Sequence, residues 1–191
     1  MSPIIEAASE LQSFCVGKGW RFCFIGGLAV QRWGEPRLTQ DADLALITGF
    51  GSEGTFVDAL MARFGGRRPD ARDFALRFRV VLSRAANGTP LDISLGAMPY
   101  EERAVERSSE FAMAPGASIR TCSAEDLVVL KAFANREQDW LDIDGIVRRQ
   151  WDRLDTDLIW QELEPLLELK ESREEADRLR GVLDRVGGNE A

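Results

Sequence analysis

Apolar positions recur along this chain in two rhythms, one helical and one alternating. Ile5, Ala8, Leu11 and Cys15 share one face at helical spacing and predict an amphipathic helix over residues 4 to 17, ended by Gly17 or Gly19. Phe22, Phe24 and Ile25 then read as a short strand that runs into Gly26-Gly27 and a helix over residues 28 to 33. Leu44, Leu46 and Ile47 mark a second strand, which carries Asp41 and Asp43. Ser52 or Thr55 starts another helix, with Phe56, Leu60 and Phe64 at helical spacing and Gly65-Gly66 as its stop.

The run ALRFRVVLSRA-NG-TPLDISLGA predicts a β-hairpin on a two-residue Asn87-Gly88 turn. That register sets Leu82 opposite Ile93, Arg84 opposite Leu91 and Val80 opposite Leu95. The other face then holds Asp92, opposite Ser83, with Val81, Arg79 and Arg77 farther along. Pro99 opens a helix, and strands at 111–114 and 119–122 flank a Pro115-Gly116 turn. Ser123 and Asp126 fit a capping box that launches a helix through Leu127, Leu130 and Ala134. Further helical patterns cover residues 140 to 151 and the tail from Thr156, with a kink or restart expected at Pro165. The sum is an α/β (α+β) chain: a mixed sheet flanked by helices in residues 1–122, and a helical C-terminal part, 123–191, packed on that core.

At 191 residues and 45% hydrophobic content, the chain has material for one cored domain with a helical appendage. A net charge of −8 argues against a general nucleic-acid coat. No apolar run approaches a membrane span, and the first ten residues lack the order of a signal peptide. Cys15, Cys23 and Cys122 have neither zinc spacing nor a disulfide framework, which fits buried thiols in a reducing, cytoplasmic setting. The chain has no histidine, which removes imidazole bases, His-ligated zinc and Ser-His or Cys-His triads.

What remains is carboxylate chemistry. Asp41 and Asp43, two apart on a strand, present their side chains to one face. Asp92 lies on the polar face of the hairpin, and an adjacent strand about 4.8 Å away would let it converge with the pair. Alone, a D-x-D spacing also fits exposed aspartates at strand edges. With a glycine turn at the start of a helix, which leaves backbone N–H groups free for an anion, it fits phosphate on Gly26 and Gly27 and divalent cations on the carboxylates. Two magnesium ions bridged by carboxylates are a common device for in-line attack at phosphorus, and need only oxygen ligands.

The run of GG, R-x-T-x-D-x-D-L and a later L-D-I resembles the nucleotidyltransferase superfamily of the DNA polymerase β type. It is most similar to small bacterial AbiEii-like toxins and their minimal relatives, from Gly26 to about Asp144. The resemblance implies the nucleotidyltransferase fold and a Mg²⁺-dependent enzyme with two ions, Mn²⁺ being able to substitute. Its reaction would move a nucleoside monophosphate from a nucleoside triphosphate to a hydroxyl. It also implies that Asp41 and Asp43 bind both metals, and that Asp92 binds the catalytic one and helps deprotonate the acceptor. Many members carry Ser where this chain has Gly27, so backbone contacts would replace that hydroxyl.

Lys131, Asn135, Gln138, Asp139 and Asp142 would form one polar stripe if their helix were continuous, either a solvated face or part of a site. The segment LKAFANREQDWLDI resembles the family's L-K-x-x-A-x-R-x-x-D-x-x-D, which implies Lys131 on the triphosphate, Asp139 as the downstream acid and Asp142 as the second choice. Seven arginines from Arg63 to Arg84 against Asp70 and Asp73 make a local excess of +5. Arg77 and Arg79 are the acceptor-binding candidates there; ordinary surface pairing is the competing account. Arg37 and Thr39 read as braces for the loop. The acceptor is RNA (including tRNA), a protein, or a small molecule such as an antibiotic; a non-catalytic binding module is the other reading. A partner protein or a homodimer could use the acidic tail, and no membrane is implied.

Overall fold

The computed structural model describes residues 2–188. Its elements are α1 (Pro3–Gly17), β1 (Phe22–Phe24), α2 (Gly26–Trp33), β2 (Ala42–Ile47), α3 (Glu53–Phe64), α4 (Ala71–Phe78), β3 (Val80–Arg84) and β4 (Pro90–Gly96). They continue with α5 (Pro99–Glu106), β5 (Ser109–Ala114), β6 (Ala117–Thr121), α6 (Ala124–Ala134), α7 (Glu137–Gln150), α8 (Thr156–Lys170) and α9 (Glu174–Gly187). The strands form one mixed sheet in the order β3-β4-β2-β1-β6-β5. β2 pairs antiparallel with β1 and parallel with β4; β1 pairs parallel with β6.

The chain divides into two compact units: residues 1–28 with 38–122, and residues 29–37 with 123–191. In the first, Leu44, Leu46, Leu91, Ile93 and Leu95 from the sheet pack with Leu11 and Cys15 of α1 and Val57 and Leu60 of α3. All three cysteines are buried and outside any disulfide, and burial pushes the Cys15 thiol up to about 12.

The hairpin forms one residue out of the expected register. Val81 pairs with Ile93, Leu82 with Asp92 and Ser83 with Leu91. The Ala85 N–H donates to Thr89 O and the Gly88 N–H to Ala85 O, closing a three-residue loop in which Gly88 takes φ +84. A one-residue slip exchanges the faces of a strand. Val81 and Ser83 therefore point into the core, and Ser83 Oγ donates to Gly65 O at 2.6 Å. Upstream, residues 75–78 are not strand but the second half of α4. Ala71 and Ala75 are buried on one side of it, while Phe74 and Phe78 stack one turn apart with centroids at 4.7 Å.

In the second unit the helix after Ser123 is not continuous into the next. It is capped at its start by Ser123 Oγ, which accepts from the Asp126 N–H, and ends at Asn135 in the left-handed region, φ +56. The Asn135 side chain then accepts from Trp140 Nε1 at 2.7 Å, folding α7 back on α6. α8 runs through Pro165 with no restart.

At the α8–α9 turn the carboxylate of Glu175, 1% exposed, accepts from Lys170 Nζ, Ser172 Oγ and Asn135 Nδ2. Burial alone would raise its pKa, but the hydrogen bonds from Lys170, Ser172 and its own backbone N–H, with the Lys170 charge, prevail and hold it at about 2. A depressed carboxylate stabilises the fold fully above its unfolded value near 4.5, and that contribution fades as pH falls from there towards 2. Glu175→Gln is therefore expected to lower stability by about 2 kcal/mol at pH 7. It should also flatten the loss of stability between pH 4.5 and 2, as read from urea midpoints across that window.

Candidate functional site

Asp41 stands at the threshold of β2 and Asp43 lies on the strand, one pleat further along. The parallel pairing of β2 with β4 sets Asp43 directly beside Asp92. One carboxylate oxygen from each of Asp41, Asp43 and Asp92 lies within 4.8 Å of the other two, and all three residues are partly exposed. Thr39 Oγ1 donates to Asp41 Oδ1 at 3.2 Å, steadying the loop that delivers that carboxylate.

α2 begins at Gly26, which is in the left-handed region with φ +59. A side chain there would place its Cβ 2.1 Å from Asp43 Oδ2, and one at Gly27 would meet Thr39 Oγ1 at 2.3 Å. Both glycines thus let the start of the helix lie against the acidic cluster. Gly26→Ala is expected to destabilise the fold by about 1–2 kcal/mol and to displace the Asp43 carboxylate. Thermal melts with and without Mn²⁺ check it: the variant should melt lower and lose most of any Mn²⁺-induced shift.

Asp92 carries a contact that the sequence reading did not anticipate. Arg67 Nη2 donates to Asp92 Oδ1. The Arg67 N–H is itself held by Leu82 O, and Leu82 is the strand partner of Asp92. Burial pushes the Asp92 carboxyl above its ordinary value; the Arg67 charge opposes this and the Asp41 charge adds to it, and the net direction is upward. Arg67 was visible only as one of seven arginines. Its role depends on the left-handed Gly65 and on the Ser83–Gly65 bond, which no local pattern announces.

The other arginines of that run fall elsewhere than expected. Arg77 lies in α4 over the Phe78 ring, and Arg79 is the left-handed C-cap of that helix, so neither extends the Asp92 strand face. Arg79 is held by Leu95 O, Glu53, Thr48 Oγ1 and Gly49 O, which makes it a brace. Arg63, Arg68 and Arg72 pair with Glu10, Asp70 and Asp58. Arg77 and Arg84 have no carboxylate partner among the described residues.

In the second unit Lys131, 4% exposed, donates to Asp139 Oδ1 at 3.0 Å and Asp142 Oδ2 at 2.7 Å. Arg136 also bonds Asp139, and Arg37 grips Asp142 with two hydrogen bonds of 2.8 and 2.9 Å. Burial works to raise both aspartates, yet the hydrogen bonds from the arginines and Lys131 leave both below the ordinary carboxylate value. The five residues form a closed ionic cluster, assembled by the break at Asn135 and not by one helical stripe.

The family model of the nucleotidyl transferase AbiEii toxins of type IV toxin–antitoxin systems matches residues 11–185. The chain belongs to this family. The AbiEii assignment agrees with the fold seen in solved structures. An antigenic nucleotidyltransferase-like protein from Paracoccidioides brasiliensis superposes with a TM-score of 0.50 at 14% identity, over 93% of this chain and 92% of that one. The antibiotic-resistance factor ANT(2'')-Ia, known from a solution structure, gives 0.56 at 16% identity, over 91% and 96%. No curated protein matches the sequence. At these identities the two structures establish a shared nucleotidyltransferase fold, to which the mixed sheet and its flanking helices conform.

Proposed function

We propose that this chain is a Mg²⁺-dependent nucleotidyltransferase that moves a nucleoside monophosphate from a nucleoside triphosphate to a hydroxyl acceptor. The observation that carries the reading is the convergence of Asp41, Asp43 and Asp92 within 4.8 Å beside the glycine start of α2. Three carboxylates, all oxygen donors and partly exposed, suit a hard divalent cation. When bound there, such ions would neutralise phosphate charge and activate the acceptor oxygen. The N–H groups at the Gly26-Gly27 helix start orient the triphosphate by bonding its oxygens. The acceptor oxygen attacks the α-phosphorus, the bond to the β-phosphate breaks, and pyrophosphate leaves. The acceptor proton passes to the Asp92 carboxylate, the member of the cluster on the neighbouring strand. In the second unit, the third N–H of Lys131 and the family segment around it support a role in meeting phosphate charge, with Asp139 holding the ammonium in place.

The acceptor reading favoured here is RNA, because the guanidinium groups of Arg77 and Arg84, which have no carboxylate partner among the described residues, would attract phosphates. The name of ANT(2'')-Ia raises a second acceptor class, a small-molecule antibiotic; a cationic one would be repelled by the same arginines. The test is incubation of the purified chain, Mg²⁺ and each α-labelled nucleoside triphosphate with a cell extract. Label in the RNA fraction is the expected result. Label in small molecules or protein would reassign the acceptor, and no transfer with any nucleotide counts against the enzyme.

A further inference from the structure

We infer that Arg67 is the resident counter-ion of the acidic site: its guanidinium occupies Asp92 until a divalent cation takes its place. This inference rests on the metal-binding reading above and adds to it a residue that competes with the cation. Three carboxylates within 4.8 Å repel one another, and the guanidinium of Arg67 on Asp92 Oδ1 offsets part of that repulsion.

The pairing is built to be given up. Three arginine–carboxylate pairs of this chain are two-bonded forks, Arg37 on Asp142, Arg68 on Asp70 and Arg72 on Asp58, while others, such as Arg63 on Glu10, hold by a single bond. Arg67 makes one bond, and its Nε is buried with no hydrogen-bond partner. A buried N–H left unpaired is unfavourable, so this arrangement is weaker than a fork and loses less when it opens. The two side chains remain 21% and 32% exposed, enough for an incoming cation to reach the carboxylate. The backbone of Arg67 stays tied to Leu82 O, which keeps the released guanidinium beside the site rather than in bulk solvent.

The test is calorimetric titration of the apo protein with Mn²⁺ alone, for wild type, Arg67→Gln and Asp43→Ala. Removing the competing charge is expected to tighten Mn²⁺ binding about tenfold. Asp43→Ala should bind little. Wild-type binding that Arg67→Gln leaves unchanged or weakens overturns the counter-ion role while sparing the metal site. Equal absence of binding in wild type and Arg67→Gln overturns both. A second measurement needs no glutamine variant. The side-chain ¹⁵N signals of Arg67, assigned by their loss in Arg67→Lys, should move to free-guanidinium positions as Mg²⁺ saturates the wild-type protein. Signals that stay fixed at saturation also defeat the inference.

Discussion

Asp43→Asn is expected to lower nucleotidyl transfer roughly a thousandfold and to abolish tight Mn²⁺ binding, with no loss of stability. The two halves of that expectation come from the same geometry. Asp43 sits between its neighbours: Asp41 lies one pleat away on the same face, and Asp92 is its register partner on β4. Three negative charges this close oppose folding in the absence of a cation, so exchanging one for a neutral amide of the same shape relieves repulsion. The urea midpoint should hold or rise as the activity disappears. Opposite signs for stability and activity are the signature of a site maintained for function, since a carboxylate kept for the fold would lose both together. Transfer rates with the labelled nucleotide, and urea melts in metal-free buffer, supply the two readings. A variant that transfers within tenfold of wild type would remove Asp43 from the chemistry.

Why these carboxylates were legible before any coordinates follows from strand geometry. A period of two fixes which face Asp41 and Asp43 share, and the core pattern Leu91-Ile93-Leu95 fixes the face that Asp92 must take on β4. Neither inference needed the partner strand of the hairpin, so the register slip did no harm to them. The slip itself arose at one residue. Asn87-Gly88 is as compatible with a three-residue loop closed by a left-handed glycine as with a two-residue turn, and only the burial of Val81 over Leu82 selects the former. The strand reading of residues 75–78 overlooked a helical signal that was present, with Ala71, Phe74, Ala75 and Phe78 at helical spacing. The β-branched pair that follows, Val80-Val81, drew the strand too far back. Asn135 shows the opposite case. It ends α6 without glycine or proline, through a left-handed turn that its own side chain secures by bonding Trp140, and that partner is placed only by tertiary packing. Arg67 belongs with it: the residue was countable, but its carboxylate was not.

Lys131→Met is expected to lower stability by about 2–3 kcal/mol, the largest stability loss among these variants. Lys131 is 4% exposed, and its ammonium directs two of its three N–H groups at Asp139 and Asp142. A buried carboxylate stripped of every partner would cost more than this. Here Asp139 keeps Arg136, and Asp142 keeps Arg37 and Gln138, which limits the damage. Because Lys131 helps hold both aspartates below the ordinary carboxylate range, the stability of the second unit should be complete above that range and fall as pH drops through it. The methionine variant should show less of that acid dependence, having lost one of the charges that produces it. Lys131→Arg separates packing from charge, since a planar fork cannot occupy the site of a compact ammonium between two carboxylates, and it too should be destabilised. Urea midpoints at pH 7 and pH 4, together with nucleotide affinity, decide the residue's role. A midpoint shift below about 0.5 kcal/mol with loss of nucleotide binding would assign the ammonium to the triphosphate alone. A large shift with affinity preserved in the folded fraction would make the cluster a structural pin. Loss of both is the result expected from the proposed role, in which the two aspartates hold the ammonium so that its third N–H can meet a phosphate.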